Sequence, residues 1–249
     1  MIEIPKNHPR YLSLVTREKI KQGMLDGLVH ETGLIAHGRG EAFDYLIGEK
    51  TIIFANKAEK VAAAMLLCAE NPVISVNGNV VALVAKEIIE LADLVPAKLE
   101  VNLFHRSEIR VEKLKNELIK QGAKTVYGSS ANAKIPGLDS NRCQCEKEGI
   151  FSADIVLVPL EDGDRCEALK AMGKTVITID LNPLSRTART ADITIIDNVI
   201  RAIPNISKWI KKLKMENKAT LKDMIKNWDN SKMLMDVSSF ISKRLNSLF

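Results

Sequence analysis

The stretch 153–188, ADIVLVPLEDGDRCEALKAMGKTVITIDLNPLSRTA, decides how the chain is read. Ile155 to Pro159 is an apolar, β-branched run with no polar face, too short for a helix, and Val176 to Ile179 is a second. Such runs suit strands buried on both faces, as in a parallel sheet covered by helices. Between them the spacing predicts a compact helix. Asp162 or Asp164 is its N-cap, Ala168, Leu169 and Met172 form its inner side, and Gly173 is its stop. That is a βαβ unit. Ligands of open parallel sheets bind outside the carboxyl ends of the strands, and polar groups collect at both ends here. Glu161, Asp162, Asp164 and Arg165 follow the first strand; Asp180, Asn182, Ser185 and Arg186 follow the second. A turn requires far less chemistry.

Downstream, Asp192 to Asp197 reads as a last strand and Asn198 to Lys214 as the last core helix. Upstream, Pro72 to Val76, Leu99 to Phe104 and Lys124 to Gly128 read as further strands, with helices between them. One of those helices starts at the Asn77-Gly78-Asn79 turn; another is capped by Ser107, with Arg106 and Arg110 on one face. The expectation is an α/β fold: a mostly parallel six-stranded Rossmann-like sheet with helices on both faces, plus helical N-terminal and C-terminal segments. Three regions are expected: a mainly helical segment 1–70 packed on the core, a nucleotide-binding α/β core 71–214, and a helical tail 215–249. The tail's apolar stripes (Leu221, Met224, Ile225, Trp228, then Leu234, Val237, Ile241, Leu245, Leu248) cover the core or a subunit contact. Residues 129–148 read as a long irregular segment, expected to be a mobile active-site loop.

Before the first strand, Leu12, Val15, Ile20, Met24 and Leu28 fall near helical spacing. Arg10 and Arg17, two turns apart, share a face of that helix, either a solvated one or a pair of anion contacts. In GLIAHGRGEAFDY, 33–45, Phe43 stands where a third glycine would complete a dinucleotide fingerprint, so the fingerprint fails. Two glycines flanking Arg39 just before a helix still allow backbone N–H groups and a guanidinium to face a phosphate. A plain tight turn is the alternative. His37 is an acid/base group or a histidine held structurally. Ile52 to Glu70 is an alanine-rich helix, and the Asn77-Gly78-Asn79 turn is a second natural anion cradle.

An apolar content of 46% beside 27% charged residues is that of a soluble globular protein. A net charge of +5 suits anionic small molecules but falls short of a nucleic-acid-binding patch, and 4% aromatics leave few stacking platforms. Neither nucleic acid nor membrane is expected as a partner. No apolar stretch is long enough to span a bilayer and the start MIEIPKNHPR lacks a signal-peptide core, so a cytoplasmic location is expected. Cys68, Cys143, Cys145 and Cys166 have no disulfide spacing, and Cys143-Gln144-Cys145 has no second ligand pair for zinc. Free thiols are expected, and no metal site is certain.

Longer motifs carry a resemblance. They are Ile4-Pro5 with His8-Pro9-Arg10-Tyr11, GLIAHGRGEAFDYLIGE at 33–49, PVISVNGN at 72–79, EVNLF at 100–104, VPLEDGDR at 158–165 and ITIDLNPLSRTA at 177–188. Together they resemble the archaeal phosphopantothenate synthetase (4-phosphopantoate–β-alanine ligase) family over roughly residues 4–204, with the tail after about 215 outside the likeness. Asn7, His105 and Cys166 stand where the family usually has serine, tyrosine and threonine. The resemblance implies an ATP-dependent, amide-forming ligase of coenzyme A biosynthesis, working as a homodimer. It would convert ATP, 4-phosphopantoate and β-alanine to 4′-phosphopantothenate, AMP and diphosphate. It also implies ATP contacts at Arg17, Arg39, Asp180, Leu181, Asn182, Arg186, Thr187, Asn198 and Val199.

The chemistry agrees. A carboxylate is a poor electrophile until an oxygen becomes part of a leaving group. Attack on the α-phosphate of ATP gives an acyl adenylate, and cations must screen the charge brought together. Arg17, Arg39 and Arg186 are expected on ATP phosphates, bridged by Mg²⁺ with help from Asp162 or Asp164. Arg10, Arg106, Arg165 and the Asn77-Gly78-Asn79 turn are candidates for the phosphopantoate side. His37 or Glu161 is the candidate base for the β-alanine amine. A nicotinamide-dependent dehydrogenase would need the missing glycine fingerprint. A non-catalytic nucleotide sensor or nucleic-acid-binding regulator would leave Glu161 to Arg165 without a role.

Overall fold

The computed structural model describes residues 4–247. In chain order its strands are β1 (Pro72–Val76), β2 (Lys98–Val101), β3 (Val126–Tyr127), β4 (Ala133–Lys134), β5 (Gln144–Cys145), β6 (Ile155–Pro159), β7 (Thr175–Ile179) and β8 (Ile193–Ile195). The helices are α1 (Tyr11–Leu25), α2 (Glu31–Ile47), α3 (Ile53–Cys68), α4 (Gly78–Leu94), α5 (Glu108–Lys120), α6 (Gly163–Ala171), α7 (Arg186–Thr190), α8 (Val199–Leu213), α9 (Lys218–Lys226) and α10 (Asn230–Asn246).

Six strands form one sheet in the order β3-β2-β1-β6-β7-β8, every neighbouring pair parallel. The α/β expectation therefore holds. Leaving out the separate β4–β5 ribbon, this is the 3-2-1-4-5-6 order of doubly wound nucleotide-binding sheets, whose ligand crevice opens where the order reverses. Here that point lies between β1 and β6. Side chains alternate across β6: Ile155 and Leu157 enter the core under α3, α4, α5 and α8, while Val156 and Val158 enter a second core with α6 and the ribbon. Burial on both faces is why neither strand of the deciding stretch has a polar side. Asp162 caps α6, accepting from the Arg165 N–H at 3.0 Å, and Gly173 closes it at φ +76°.

Two expectations fail. His37, Gly38, Arg39 and Gly40 do not form a turn before a helix; they lie inside α2, whose N-cap is His30. Their N–H groups belong to the helix ladder, so no backbone cradle exists there. Residues 129–148 are not a loose loop either. The β4–β5 ribbon and a short 3₁₀ turn (Asn141–Cys143) order them, and Ile135, Leu138 and Cys145 are buried in the second core. Two residues of β2's C-terminal side staple the segment. The Glu100 carboxylate accepts from the N–H groups of Glu146 (2.9 Å) and Ile150 (2.6 Å), and Asn102 Nδ2 donates to the carbonyls of Arg142 (3.2 Å) and Gln144 (3.0 Å).

The tail covers the core. Leu221 of α9 joins the core beneath α3, and Met233, Leu234 and Val237 of α10 pack with Ile47, Ile52 and Ala55. Asn230 closes the open edge of β8: its Oδ1 accepts from the Thr194 N–H at 2.8 Å, and its Nδ2 donates to the carbonyls of Ala188 and Ala191. Leu248 of the expected stripe lies outside the described residues.

Candidate active site

A cleft opens at the β1/β6 switch point, roofed by α2 and floored by the residues that follow the strands. Asn77 ends β1 and ties the two halves of the sheet together. Its Nδ2 donates to the carbonyls of Pro159 (3.1 Å) and Leu160 (3.3 Å), while its Oδ1 caps α4. Asn79 holds the roof, donating to the Gly33 carbonyl at 2.9 Å. Both side chains are thus committed to the frame. What the Asn77-Gly78-Asn79 turn offers a ligand is the start of α4, whose first donors no helix satisfies internally.

On the β7–β8 side the cleft is lined by Leu181, Asn198 and Val199. Asn198 Nδ2 donates to Asp44 at 2.9 Å, and Asp44 is gripped by Arg201, which also pairs with Asp197. Asp180 is bound by Ser185 (2.5 Å) and the Asn182 N–H (2.9 Å); burial pushes its carboxyl up, opposed by those bonds and by the nearby Arg39 charge. Thr187 donates to the Glu161 carbonyl, and Arg186 stands exposed beside Asp164 and Glu167. On the β1–β2 side lie Phe104, His105 and Arg110, with the His105 and His30 rings stacked at 3.8 Å. Arg106, the neighbour singled out from sequence, instead donates to the Gly128 carbonyl at 2.7 Å and does not line the cleft.

Arg10 and Arg17 do share a face, and both turn to Glu41 of α2. Arg17 Nη2 lies 2.8 Å from one Glu41 oxygen and Arg10 Nη2 lies 3.0 Å from the other; Tyr45 bonds both arginines. Burial pushes the Glu41 carboxyl up, but bonds from Arg17 and Ser13 outweigh it and leave it below the ordinary range. His37, one turn before Glu41, lines the cleft with its Nε2 buried and without a partner among the described residues. Burial lowers its pKa, so the neutral ring prevails at neutral pH.

Glu161 and Arg165 sit elsewhere than expected. The Glu161 side chain is 2% exposed and lies between Arg142 and Arg165; Arg165 is fully buried, with Nη2 2.8 Å from Ser75 Oγ and Nη1 on Asn102. Burial pushes the Glu161 carboxyl up while Arg142 and Arg165 pull it down, but so buried a carboxylate, clamped by two guanidiniums, meets no substrate amine, and a guanidinium with no exposed surface touches no substrate. Both are structural supports. Arg142 and Glu41 were missed, although each had a signal: Arg142 is the only arginine in 129–148, and Glu41 lies four residues, one helical turn, from His37. Among the described residues no group of three or more His, Cys, Asp or Glu side chains forms a metal cage.

A doubly wound sheet with a cleft at its switch point, edged by Arg110 and Arg142, is the architecture of α/β enzymes that act on small molecules. Residues 54–244 match the family model described as phosphopantothenate/pantothenate synthetase. Over all of its length the chain is 55% identical to a protein of Thermococcus onnurineus, across 95% of that protein, and 50% identical to one of Methanosarcina mazei, across 98% of it; both are named 4-phosphopantoate–β-alanine ligase. A relative of the same name from Thermococcus kodakarensis is 54% identical. The chain belongs to the phosphopantothenate/pantothenate synthetase family and is an enzyme of the ligase class. The match runs through α9 and α10, so the tail lies inside the likeness and not, as expected, beyond it.

Proposed function

We propose that this chain is an ATP-dependent ligase that joins 4-phosphopantoate to β-alanine, giving 4′-phosphopantothenate, AMP and diphosphate on the route to coenzyme A. The observation that carries the reading is the cleft's two-sided build. Leu181, Asn198 and Val199, expected at ATP, line its β7–β8 side, while Arg110, His105 and the start of α4 line its β1–β2 side. Two substrates laid on these halves meet over the switch point, which is where a carboxylate must reach an α-phosphate.

The acid's carboxylate oxygen attacks the α-phosphorus, diphosphate leaves, and the β-alanine amine then displaces AMP from the acyl carbon. Arg39 and Arg186 are assigned to the triphosphate. Arg17 joins them by exchanging Glu41 for a phosphate oxygen, since its guanidinium is half exposed. Mg²⁺ fits as an ion carried mainly by phosphates and water, as that ion prefers. Asp162, 35% exposed, and Asp164, 68% exposed, are the carboxylates within reach of such an ion, and both pair with arginines already. His37 is assigned as the proton acceptor for the amine, a role Glu161 cannot fill from beneath two guanidiniums. Homodimeric assembly and a cytoplasmic location belong to the same reading, and no described helix is long and apolar enough to cross a membrane.

The test is an end-point assay with ATP, 4-phosphopantoate and β-alanine that separates AMP from ADP. AMP is expected only with both co-substrates, in step with 4′-phosphopantothenate. ADP would mean an acyl phosphate and move the attack to the γ-phosphate.

A further inference from the structure

We propose that Arg142 is the residue that grips the carboxylate of the acid substrate at the switch point. This rests on the ligase reading above and adds a contact that no motif of the sequence marks. The 3₁₀ turn that leads into β5 carries Arg142 to the cleft, near Leu160 and Glu161 that follow β6. That is the junction of the two halves, where the carboxylate has to lie.

The guanidinium is held on one side and unpaired on the other among the described residues. Nη1 pairs with Glu161 and lies 3.3 Å from Asp162 Oδ2. Nε is buried without a partner, and Nη2 makes no hydrogen bond among the described residues. The Nε–Nη2 edge of a guanidinium presents two parallel donors with the spacing of a carboxylate. The side chain is only 9% exposed, so an unpaired donor there is costly and a bound anion is weakly screened.

The support beneath it is rigid and reaches across the fold. Glu161 has its second oxygen 3.0 Å from Arg165; Arg165 reaches Ser75 of β1 and Asn102 after β2; Asn102 in turn holds the Arg142 carbonyl. Glu161, Arg165 and Asn102 are positioning residues for Arg142. The substrate's phosphate has other donors to meet, since Arg110 and His105 lie further along the β1–β2 side.

The test is calorimetric titration of the full-length chain with 4-phosphopantoate, with its primary amide, and with ATP, for wild type, Arg142→Met and Arg142→Lys. Both variants should bind the acid about 10- to 100-fold more weakly, the range for hydrogen bonds to a charged group. ATP affinity should be unchanged, and the amide should bind wild type and Arg142→Met alike. Equal acid affinity in all three proteins overturns the proposal, as does a loss that appears in ATP binding instead. If Arg142→Met does not fold, Arg142→Lys keeps a cation beside Glu161 and decides the matter by the same titration. If neither variant folds, the wild type decides it: amide binding as tight as acid binding refutes a carboxylate grip, and weaker binding upholds it. A wild type that binds no acid at all refutes the ligase reading, and the Arg142 assignment falls with it.

Discussion

His37 brings to the cleft a buried ring nitrogen, Nε2, that has no hydrogen-bond partner among the described residues. Burial lowers its pKa from the ordinary 6.5, Glu41 pulls it partly back, Arg17 pushes it down again and Asp44 pulls it up. The ring is therefore neutral where the enzyme works, and a neutral ring can accept a proton. The sign follows. Activity is present above the lowered pKa and is lost as pH falls through it, so the acid limb of kcat should lie below pH 6.5. His37→Gln should lower kcat by about 10²- to 10⁴-fold, the span for a general base, with KM for ATP kept. It should also erase the acid limb. A limb that persists in the variant belongs to another group.

Glycine has opposite meanings in the two helices that frame the cleft. A Cβ at Gly78, the first residue of α4, would overlap the backbone oxygen of Leu28, whereas a Cβ at Gly38 in α2 meets nothing within 4 Å. Gly78→Ala should therefore cost about 1–3 kcal/mol through overpacking and weaken substrate binding as the start of α4 shifts. Gly38→Ala should gain about 0.5–1 kcal/mol from helix propensity. Thermal unfolding of both variants against wild type checks the contrast, and equal shifts would contradict it. The same glycines explain what sequence reading caught and what it lost. Strands β6 and β7 and helices α4, α6 and α8 were legible, because apolar runs, caps and stops agree locally. His37-Gly38-Arg39-Gly40 was misread as a turn, since local rules treat paired glycines as breakers. In the fold they sit in the roof helix, where a Cβ on Gly40 would make an ordinary contact with Leu181 at 3.5 Å and the helix tolerates both glycines. Arg142 stands out in sequence as the only arginine of 129–148, but its place does not, because that depends on Asn102 and Glu161, 40 and 19 residues away in the chain.

At the scale of the whole molecule, the helices before and after the sheet meet over a buried acid. Glu59 of α3 is fully buried; Asn205 of α8 donates to its Oε1 at 3.2 Å, and its Oε2 is buried without a hydrogen-bond partner among the described residues. Burial, then the Asp197 charge, raise the Glu59 pKa to about 8, against pulls downward from Asn205 and Arg201. Burial pushes the Asp197 carboxyl up as well, but Arg201 at 2.5 Å and a hydrogen bond from Thr51 oppose that, whereas Asn205 is the one hydrogen-bond donor Glu59 has among the described residues, so Glu59 takes the proton first. Between its ordinary 4.5 and about 8 the folded chain holds a proton that the unfolded chain has released. Stability must therefore fall as pH rises through that window and level off above it. Glu59→Gln removes the titration while keeping an acceptor for Asn205. The variant should match wild type near pH 5 and unfold at a higher temperature above pH 8, where wild type carries a buried, unpaired charge. Thermal unfolding across pH 5 to 9 is the measurement. Parallel curves for the two proteins would mean that Glu59 is ionised throughout, and that the α3–α8 contact is held by Arg201 instead.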